Sequence, residues 1–339
     1  MTVAAGLDVR RYADADEASV LSLLGASLQG GPTGERTPEF FHWKHRDNPF
    51  GPSFALVAES AGRVVGFRTF LRWEFRAAGE TVRAVRAVDT ATHPDFQGRG
   101  IFRDLTLRAL DELGDTVDLV YNTPNGQSLP GYLKMGWSAV GDVPIAIRPI
   151  HPWRLLRGLR HVDGGGVAQP SQPCPFPPAS SVFADPRLPD LVAESAGELE
   201  CRFATVRSVP FLAWRYGAAP GLDYRVILDE RGGELRGVAF GRPRGRGALS
   251  EFTLADVVVR PGDTAAARRL LGRAARAGGD HVATHCAAGT ESRRAAWRAG
   301  YLGVPGRGMT LVANPRTPLT PDPTRLTSWR FALGDLEVF

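Results

Sequence analysis

The sequence predicts an α/β protein built from two similar domains in tandem, each with a mixed sheet. The chain has 339 residues, which is longer than one ordinary domain. Apolar runs typical of strands alternate with amphipathic helical segments along both halves. The halves also repeat the same order of elements, and an internal duplication explains this repetition better than chance does.

In the first half, strands are predicted from the apolar runs and helices from the 3.6-residue period, with turn residues between them. The predicted strands are 8–13, 53–59, 64–75, 81–92, 118–122 and 137–150, and the predicted helices are 14–29, 37–45, 101–113 and 128–135. The second half repeats the later part of this order, with strands at 250–259 and 281–285 and helices at 264–276 and 291–299.

The two halves also share residues at matching distances. Trp43 and Trp214 each stand six residues before a proline and 23 residues before a glycine. Between the halves, the chain from 151 to 181 is rich in glycine and proline, a composition typical of a linker. We therefore predict domains at 1–150 and 182–339, joined by a linker at 151–181.

A glycine-rich loop connects the strand at 81–92 to the helix at 101–113. It reads Gln97, Gly98, Arg99, Gly100. Such a loop leaves several backbone N–H groups unpaired at a helix N-terminus, where the helix dipole also favours negative charge. The loop is therefore a candidate phosphate-binding site.

The second half lacks this loop and has Arg260 to Asp263 at the matching place. It also differs on the next short helix, where Tyr132 stands four residues before Gly136 but Ala296 stands four before Gly300. The second half therefore keeps the predicted scaffold and lacks the candidate site.

The loop and Tyr132 together resemble the GNAT superfamily of acyl-CoA-dependent N-acyltransferases. The loop of that family is Gln/Arg-x-x-Gly-x-Gly/Ala, matched here at Gln97 and Gly100, with Phe102 in place of the last small residue. Its second signature is a tyrosine four residues before a glycine-aromatic pair, matched by Tyr132 and Gly136-Trp137. The resemblance covers the first 150 residues well and the second half in outline.

The resemblance implies an enzyme that transfers an acyl group, in the first place acetyl, from acyl-CoA to a primary amine by direct attack. Acyl-CoA would be a cosubstrate, with no permanently bound cofactor. Tyr132 would be the general acid that protonates the leaving thiolate. The residues that would contact the cosubstrate are Thr92, Gln97, Gly98, Arg99, Gly100, Ile101, Phe102 and Asn125.

A general base is also needed, because the amine acceptor is mostly protonated in water. Asp89, on the strand before the loop, is the first candidate, followed by His93, Glu74 and the end of the chain at 335–339. A structural role for Asp89 is an equal alternative, because Asp256 stands at the matching place in the half without the loop.

Two other functions fit the same residues. One is an acyltransferase that takes its acyl group from a carrier protein or a long-chain thioester. The other is an acyl-CoA-binding or regulatory protein without turnover. The acceptor is equally open and includes small amines, amino acids, peptides and protein lysines.

The composition of the chain indicates which kinds of partner and which cellular compartment to expect. The chain is 43% apolar with a net charge of +5, and no apolar run is long enough to span a membrane. No signal peptide is evident, so we expect a cytoplasmic protein. Basic and acidic residues are interspersed, which makes nucleic acid an unlikely partner. The three cysteines do not have the spacing of a metal site.

Overall fold

The computed structural model describes residues 7–27, 37–160, 173–196 and 202–336. These residues form two compact units. The first consists of the described parts of Met1–Gly141 and Thr310–Arg325, and the second of those of Asp142–Met309 and Leu326–Glu337. Both units combine a sheet with helices, so the predicted mixed α/β class is confirmed.

The first unit contains the elements that carry the candidate site. Its strands are β1 (Asp8–Arg11), β2 (Phe54–Ser60), β3 (Arg63–Ala77), β4 (Glu80–Thr92) and β5 (Leu119–Asn122). Its helices are α1 (Glu17–Ser27), α2 (Pro38–His45), α3 (Ile101–Leu113) and α4 (Leu129–Lys134). Each lies where the sequence predicts it, to within three residues at either end.

The sheet of the first unit opens at the ends of β4 and β5. Strands β1 to β4 are antiparallel neighbours, whereas β5 runs parallel to β4. The pairing between β4 and β5 extends only as far as Arg86 and Tyr121. Both strands continue in the same direction beyond this pair without further pairing. The gap between them therefore opens towards Thr92 and Asn122. The loop and α4 follow these two strand ends.

Helices cover both faces of this sheet. On one face, α3 packs through Leu105 and Ala109 against a core that includes Val85 and Val120. Gly66 on β3 permits this close packing, since a Cβ there would lie 2.6 Å from Ile101. On the other face, a second core joins α1 and α2 to β2, β3 and β4, through Val20, Leu24, Phe41, Val57, Phe67 and Ala91.

The second unit has a similar order of elements. Its strands are β6 (Ser138–Pro149), β7 (Phe203–Thr205), β8 (Arg225–Arg231), β9 (Glu234–Arg246), β10 (Leu249–Val259), β11 (His281–Thr284), β12 (Leu302–Pro315) and β13 (Trp329–Arg330). Its helices are α5 (Pro152–Arg160), α6 (Leu188–Ala196), α7 (Val209–Leu212), α8 (Thr264–Ala274), α9 (Glu291–Ala296) and α10 (Leu333–Leu336). Strands β8 to β10 are antiparallel and β11 is parallel to β10.

The units do not coincide with the contiguous ranges 1–150 and 182–339 expected from the sequence. The first unit completes its sheet with the end of β12, which pairs with β5. The second unit takes in β6, which pairs with β11. Each unit thus uses a strand from the other half of the sequence, and local patterns carry no information about such distant pairing.

Part of the expected linker at 151–181 is ordered. Helix α5 and a 3₁₀ turn at Ala179–Ala184 occupy its two ends. Residues 161–172, which hold the triple glycine, lie outside the described residues.

Candidate active site

The glycine loop presents unpaired N–H groups at the start of α3. Gly98 and Gly100 have φ angles of 74° and 82°, a left-handed conformation that glycine adopts without strain. In the described part of the chain, Gly100 is the N-cap residue of α3, and no side-chain cap hydrogen bond is made there. The first backbone bond of the helix runs from the Asp104 N–H to the Gly100 carbonyl (3.0 Å), so the N–H groups before it have no acceptor within the helix.

The two long side chains of the loop support its backbone. The Gln97 amide donates to the carbonyl of Thr92 (3.4 Å). The Arg99 guanidinium donates to the carbonyl of Asp95 (3.0 Å) and lies over the ring of Phe96. All four residues from 97 to 100 are exposed, so a ligand can reach the loop.

The matching helix of the second unit is capped by its own carboxylates. Asp263 accepts the N–H of Ala266 (2.9 Å) at the start of α8. Glu291 accepts the N–H of Gly262 (3.1 Å). Negative charge from the protein therefore occupies the position that a phosphate would need, which agrees with the absence of the glycine loop from this half.

Tyr132 lies on α4 beside the opening between β4 and β5. It is buried, and its hydroxyl oxygen accepts a hydrogen bond from Nη1 of Arg68 (2.9 Å). The rings of Phe102 and Trp137 contact the Tyr132 ring edge-on, with centroids 5.4 and 5.2 Å away. An arginine can only donate, so the proton of the Tyr132 hydroxyl remains available to an acceptor in the opening.

Phe102, the residue that departs from the GNAT loop, is directed at α4. A Cβ on Gly131 would lie 3.0 Å from Cε1 of Phe102, so the ring uses the space that this glycine leaves. The ring is therefore taken up by packing against α4, and it holds Tyr132 in place.

Two asparagines follow β5 and differ in their bonding. Asn125, the predicted cosubstrate contact, is exposed, and its Oδ1 accepts the N–H groups of Gln127 (3.1 Å) and Ser128 (2.9 Å) before α4. Asn122 is buried at the end of β5, and its Oδ1 has no partner among the described residues. Asn122 is not among the site residues predicted from the sequence, although a polar residue that ends a buried strand is a usable signal.

Asp89 forms a buried ion pair instead of facing solvent. Its side chain is 5% exposed, and its Oδ2 lies 2.6 Å from Nζ of Lys44 and 2.9 Å from Nε2 of His45. Its φ of 41° is unusual for a residue other than glycine and falls at an irregularity in the β3–β4 register. The matching Asp256 of the second unit is also buried and paired, with Arg207 (2.9 Å).

Neither partner of Asp89 is among the site residues predicted from the sequence. Lys44 and His45 are neighbours on α2. Lys44 offered a signal, since it is one of only two lysines among 41 basic residues in the chain.

His45 connects Asp89 to a cavity on the face covered by α1 and α2. Its Nδ1 lies 2.9 Å from the hydroxyl of Ser53. His45 and Ser53 line a cavity of about 260 Å³, together with Tyr12, Phe41 and Thr69 among others. If Nε2 donates to Asp89, Nδ1 accepts from Ser53 and can receive a proton through this hydroxyl.

The other candidate bases lie elsewhere. His93 is a turn residue whose Nδ1 accepts the N–H of Asp95 (3.3 Å) and whose Nε2 meets Arg63. Glu74 is six residues beyond Arg68 along β3, which is about 20 Å in an extended strand. At the end of the chain, Asp335 accepts a hydrogen bond from Arg207 (3.1 Å) within the second unit. Residues 337–339 lie outside the described residues.

Comparison with known proteins agrees with this geometry. The first half of the chain matches the family described as acetyltransferase (GNAT) domain over residues 8–140. Residues 8–140 therefore resemble a GNAT acetyltransferase domain. They contain the loop, Asp89 and Tyr132, so the matched range includes all the predicted site residues. No curated protein matches the chain in sequence.

Solved structures extend the GNAT fold over most of the chain. A probable N-acyltransferase from Enterococcus faecalis is 12% identical, with a TM-score of 0.63 over 91% of this chain and 72% of that one. A GCN5-related N-acetyltransferase from Anabaena variabilis is 14% identical, with a TM-score of 0.63 over 92% and 73%. A similar enzyme from Kribbella flavida is 14% identical, with a TM-score of 0.56 over 91% and 72%. At these identities the likenesses show a shared fold.

The histidine, cysteine and acidic side chains of the described residues form no cluster of three that could hold a metal ion. None of their helices is both long and apolar enough to cross a bilayer. Cys174 and Cys286 are unpaired thiols, and burial raises the pKa of Cys286 to about 12. Cys201 lies outside the described residues.

Proposed function

We propose that the chain is an acyl-CoA-dependent N-acyltransferase that moves an acetyl or similar acyl group to a primary amine. One observation carries this proposal. The Tyr132 hydroxyl accepts a hydrogen bond from Arg68 at the opening between β4 and β5, and its ring contacts Phe102 in the uncapped first turn of α3. This combination offers an anion site for a diphosphate and a proton donor for a thiolate.

The loop residues Gln97 to Phe102 would hold the pyrophosphate of CoA through backbone N–H groups. The pantetheine arm would lie in the opening between β4 and β5, where Thr92, Asn122 and Asn125 are the residues that we propose to contact it. The amine nitrogen attacks the thioester carbonyl carbon, and the carbon–sulfur bond breaks with its electron pair passing to sulfur. Tyr132 donates its proton to this sulfur, whose thiol has a pKa of roughly 8.5 in free form.

The amine loses its proton on the opposite face of the sheet. Asp89 shares its buried carboxylate with Lys44 and His45, so we infer that it acts on the amine through His45. The proton passes to His45 Nδ1, directly or through Ser53, and Asp89 stabilises the resulting imidazolium. In this proposal the acid Tyr132 lies on one face of the sheet and the base His45 on the other. A thioester bound in the opening between β4 and β5 would be accessible to both.

The acceptor we propose is a small amine. The cavity that His45 and Ser53 line measures about 260 Å³, near the lower end for small-molecule sites. For the second unit we propose a degenerate GNAT-like copy without turnover, because its helix N-terminus is capped by Asp263 and Ala296 replaces the tyrosine.

The test uses the full chain with acetyl-CoA and a panel of amines, with release of free thiol as the readout. Tyr132→Phe should lower kcat by a factor of about 10² to 10⁴, the usual contribution of a general acid. Tyr301→Phe is the matched control, since it also removes a buried tyrosine hydroxyl (bonded to Leu271 at 3.1 Å) and should leave turnover unchanged.

The other functions predict different results. CoA binding without thiol release from any thioester would indicate a non-catalytic binding protein. Release only from long-chain acyl-CoA or an acylated carrier protein would indicate the alternative donor. If the protein neither binds CoA nor releases thiol from any thioester, the proposed enzyme is refuted.

A further inference from the structure

Arg68 is a cation enclosed in the first unit without a matching carboxylate. Its side chain is fully buried on β3. Nη1 donates to the hydroxyls of Thr90 and Tyr132. Nε and Nη2 have no hydrogen-bond partner among the described residues, and no ion pair to Arg68 occurs among them.

The unpaired atoms form one edge of the guanidinium group. Nε–H and Nη2–H point in parallel from this edge and match the two oxygens of a carboxylate. The rings of Phe70, Phe102 and Tyr132 lie 4.7 to 5.4 Å from Cζ and stabilise the positive charge. Ring faces do not replace in-plane acceptors, so the donors on this edge stay unsatisfied in the protein alone.

The Arg68 guanidinium lies at the opening of the sheet. Its side chain starts on β3 and reaches Thr90 on β4 and Tyr132 on α4, so the guanidinium extends over the place where β4 and β5 separate. Asn122, at the end of β5, has a second buried polar atom without a partner. By strand alternation Asn122 shares the sheet face of Val120, which packs in the same core as Tyr132.

We propose that Arg68 binds a carboxylate carried by one of the substrates next to the reacting thioester. This inference rests on the proposed function and deepens it. Tyr132 accepts from the other side of the same guanidinium group, so a carboxylate on the unpaired edge lies a few bonds from the thioester. A short dicarboxylic acyl group on the donor has that spacing, as does the α-carboxylate of an amino acid acceptor.

The unpaired edge of Arg68 is covered in the protein alone. The half-buried ring of Phe102 lies 5.3 Å from Cζ of Arg68, and the unpaired nitrogens are not exposed. Binding of a carboxylate therefore requires a local rearrangement of the side chains around the guanidinium group.

Calorimetric binding to the full chain tests the inference without turnover. One arm compares succinyl-CoA and malonyl-CoA with acetyl-CoA. The second compares alanine with alaninamide in the presence of CoA. In one arm the wild type should prefer the carboxylate ligand by tenfold or more, and the arm that shows this preference identifies the substrate that carries the group.

Arg68→Met should abolish that preference and change binding of the neutral ligand by less than about twofold. Arg68→Lys keeps the charge without the paired edge and should keep only part of the preference. Arg72→Met is the matched control, since it removes a charge from the same strand and should preserve the preference.

Three results would overturn the inference. They are no preference in either arm of the wild type, an equal loss for carboxylate and neutral ligands in Arg68→Met, and a preference that survives in Arg68→Met. Failure of the wild type to bind CoA at all would instead refute the proposed function. Normal CoA binding without a carboxylate preference would refute only the role of Arg68.

Discussion

The contact between Phe102 and Gly131 leads to a prediction about stability in which two effects oppose each other. Gly131→Ala places a methyl group 3.0 Å from Cε1 and 3.7 Å from Cδ1 of Phe102. Because Gly131 lies within α4, alanine should stabilise the helix by about 0.5 to 1 kcal/mol. Overpacking against a ring costs about 1 to 3 kcal/mol. We therefore expect a net loss of about 1 kcal/mol.

The stability change caused by Gly131→Ala should reverse its sign when the Phe102 ring is absent. In a Phe102→Ala background the new methyl group meets no ring, so Gly131→Ala should stabilise by up to about 1 kcal/mol. The double-mutant cycle should then give a coupling energy of about 1 to 3 kcal/mol. Urea unfolding of the wild type, both single variants and the double variant gives the four unfolding free energies that the cycle requires.

Gly272→Ala provides the control for helix propensity. Gly272 lies within α8, and a Cβ there would meet nothing within 4 Å. This change should stabilise by about 0.5 to 1 kcal/mol whichever residue is at position 102. If Gly131→Ala has the same sign and size in both backgrounds, Phe102 does not fill the space beside α4 and the reasoning is refuted.

Two further predictions concern buried charges. Asp89→Asn should cost about 3 to 5 kcal/mol of stability, because it removes the carboxylate from a buried ion pair with Lys44. Lys44→Met in the same chain should recover most of this loss, as measured by urea unfolding. Thiol release should stay low in that double variant, and its return would contradict the role of Asp89 in catalysis. Burial raises the pKa of Glu251, but His281, Arg246 and other partners outweigh it and bring this pKa to about 2. The folded pKa lies below the unfolded one, so Glu251 stabilises fully above about pH 4.5, and a contribution of up to roughly 3 kcal/mol is lost as the pH falls towards 2. The unfolding free energy of Glu251→Gln should therefore fall less steeply over this range, and an unchanged slope would contradict the assignment.

The sequence predicted the parts of the candidate site that lie close together along the chain. The strand, the glycine loop and α3 follow one another, and φ angles of 74° and 82° explain the glycines at 98 and 100. Tyr132 could be selected because its helix and the following glycine are also local signals. The roles of Tyr132, Asp89 and the loop residues stay predictions until turnover is measured.

The sequence did not predict which side chains meet. Arg68 and Tyr132 are 64 residues apart, and His45 and Asp89 are 44 apart. These contacts depend on the register of β3 against β4 and on how α2 packs on the sheet. A shift of one residue in register would turn the side chain of Arg68 to the opposite face.

The sequence by itself determined the order of strands and helices and the uncapped start of α3, because periodicity and backbone conformation are properties of neighbouring residues. Only the tertiary structure decided that β12 completes the sheet beside β5, that Lys44 neutralises Asp89, and that Phe102 packs on Gly131. The physical reason is that strand pairing and side-chain contact are set by packing between distant segments.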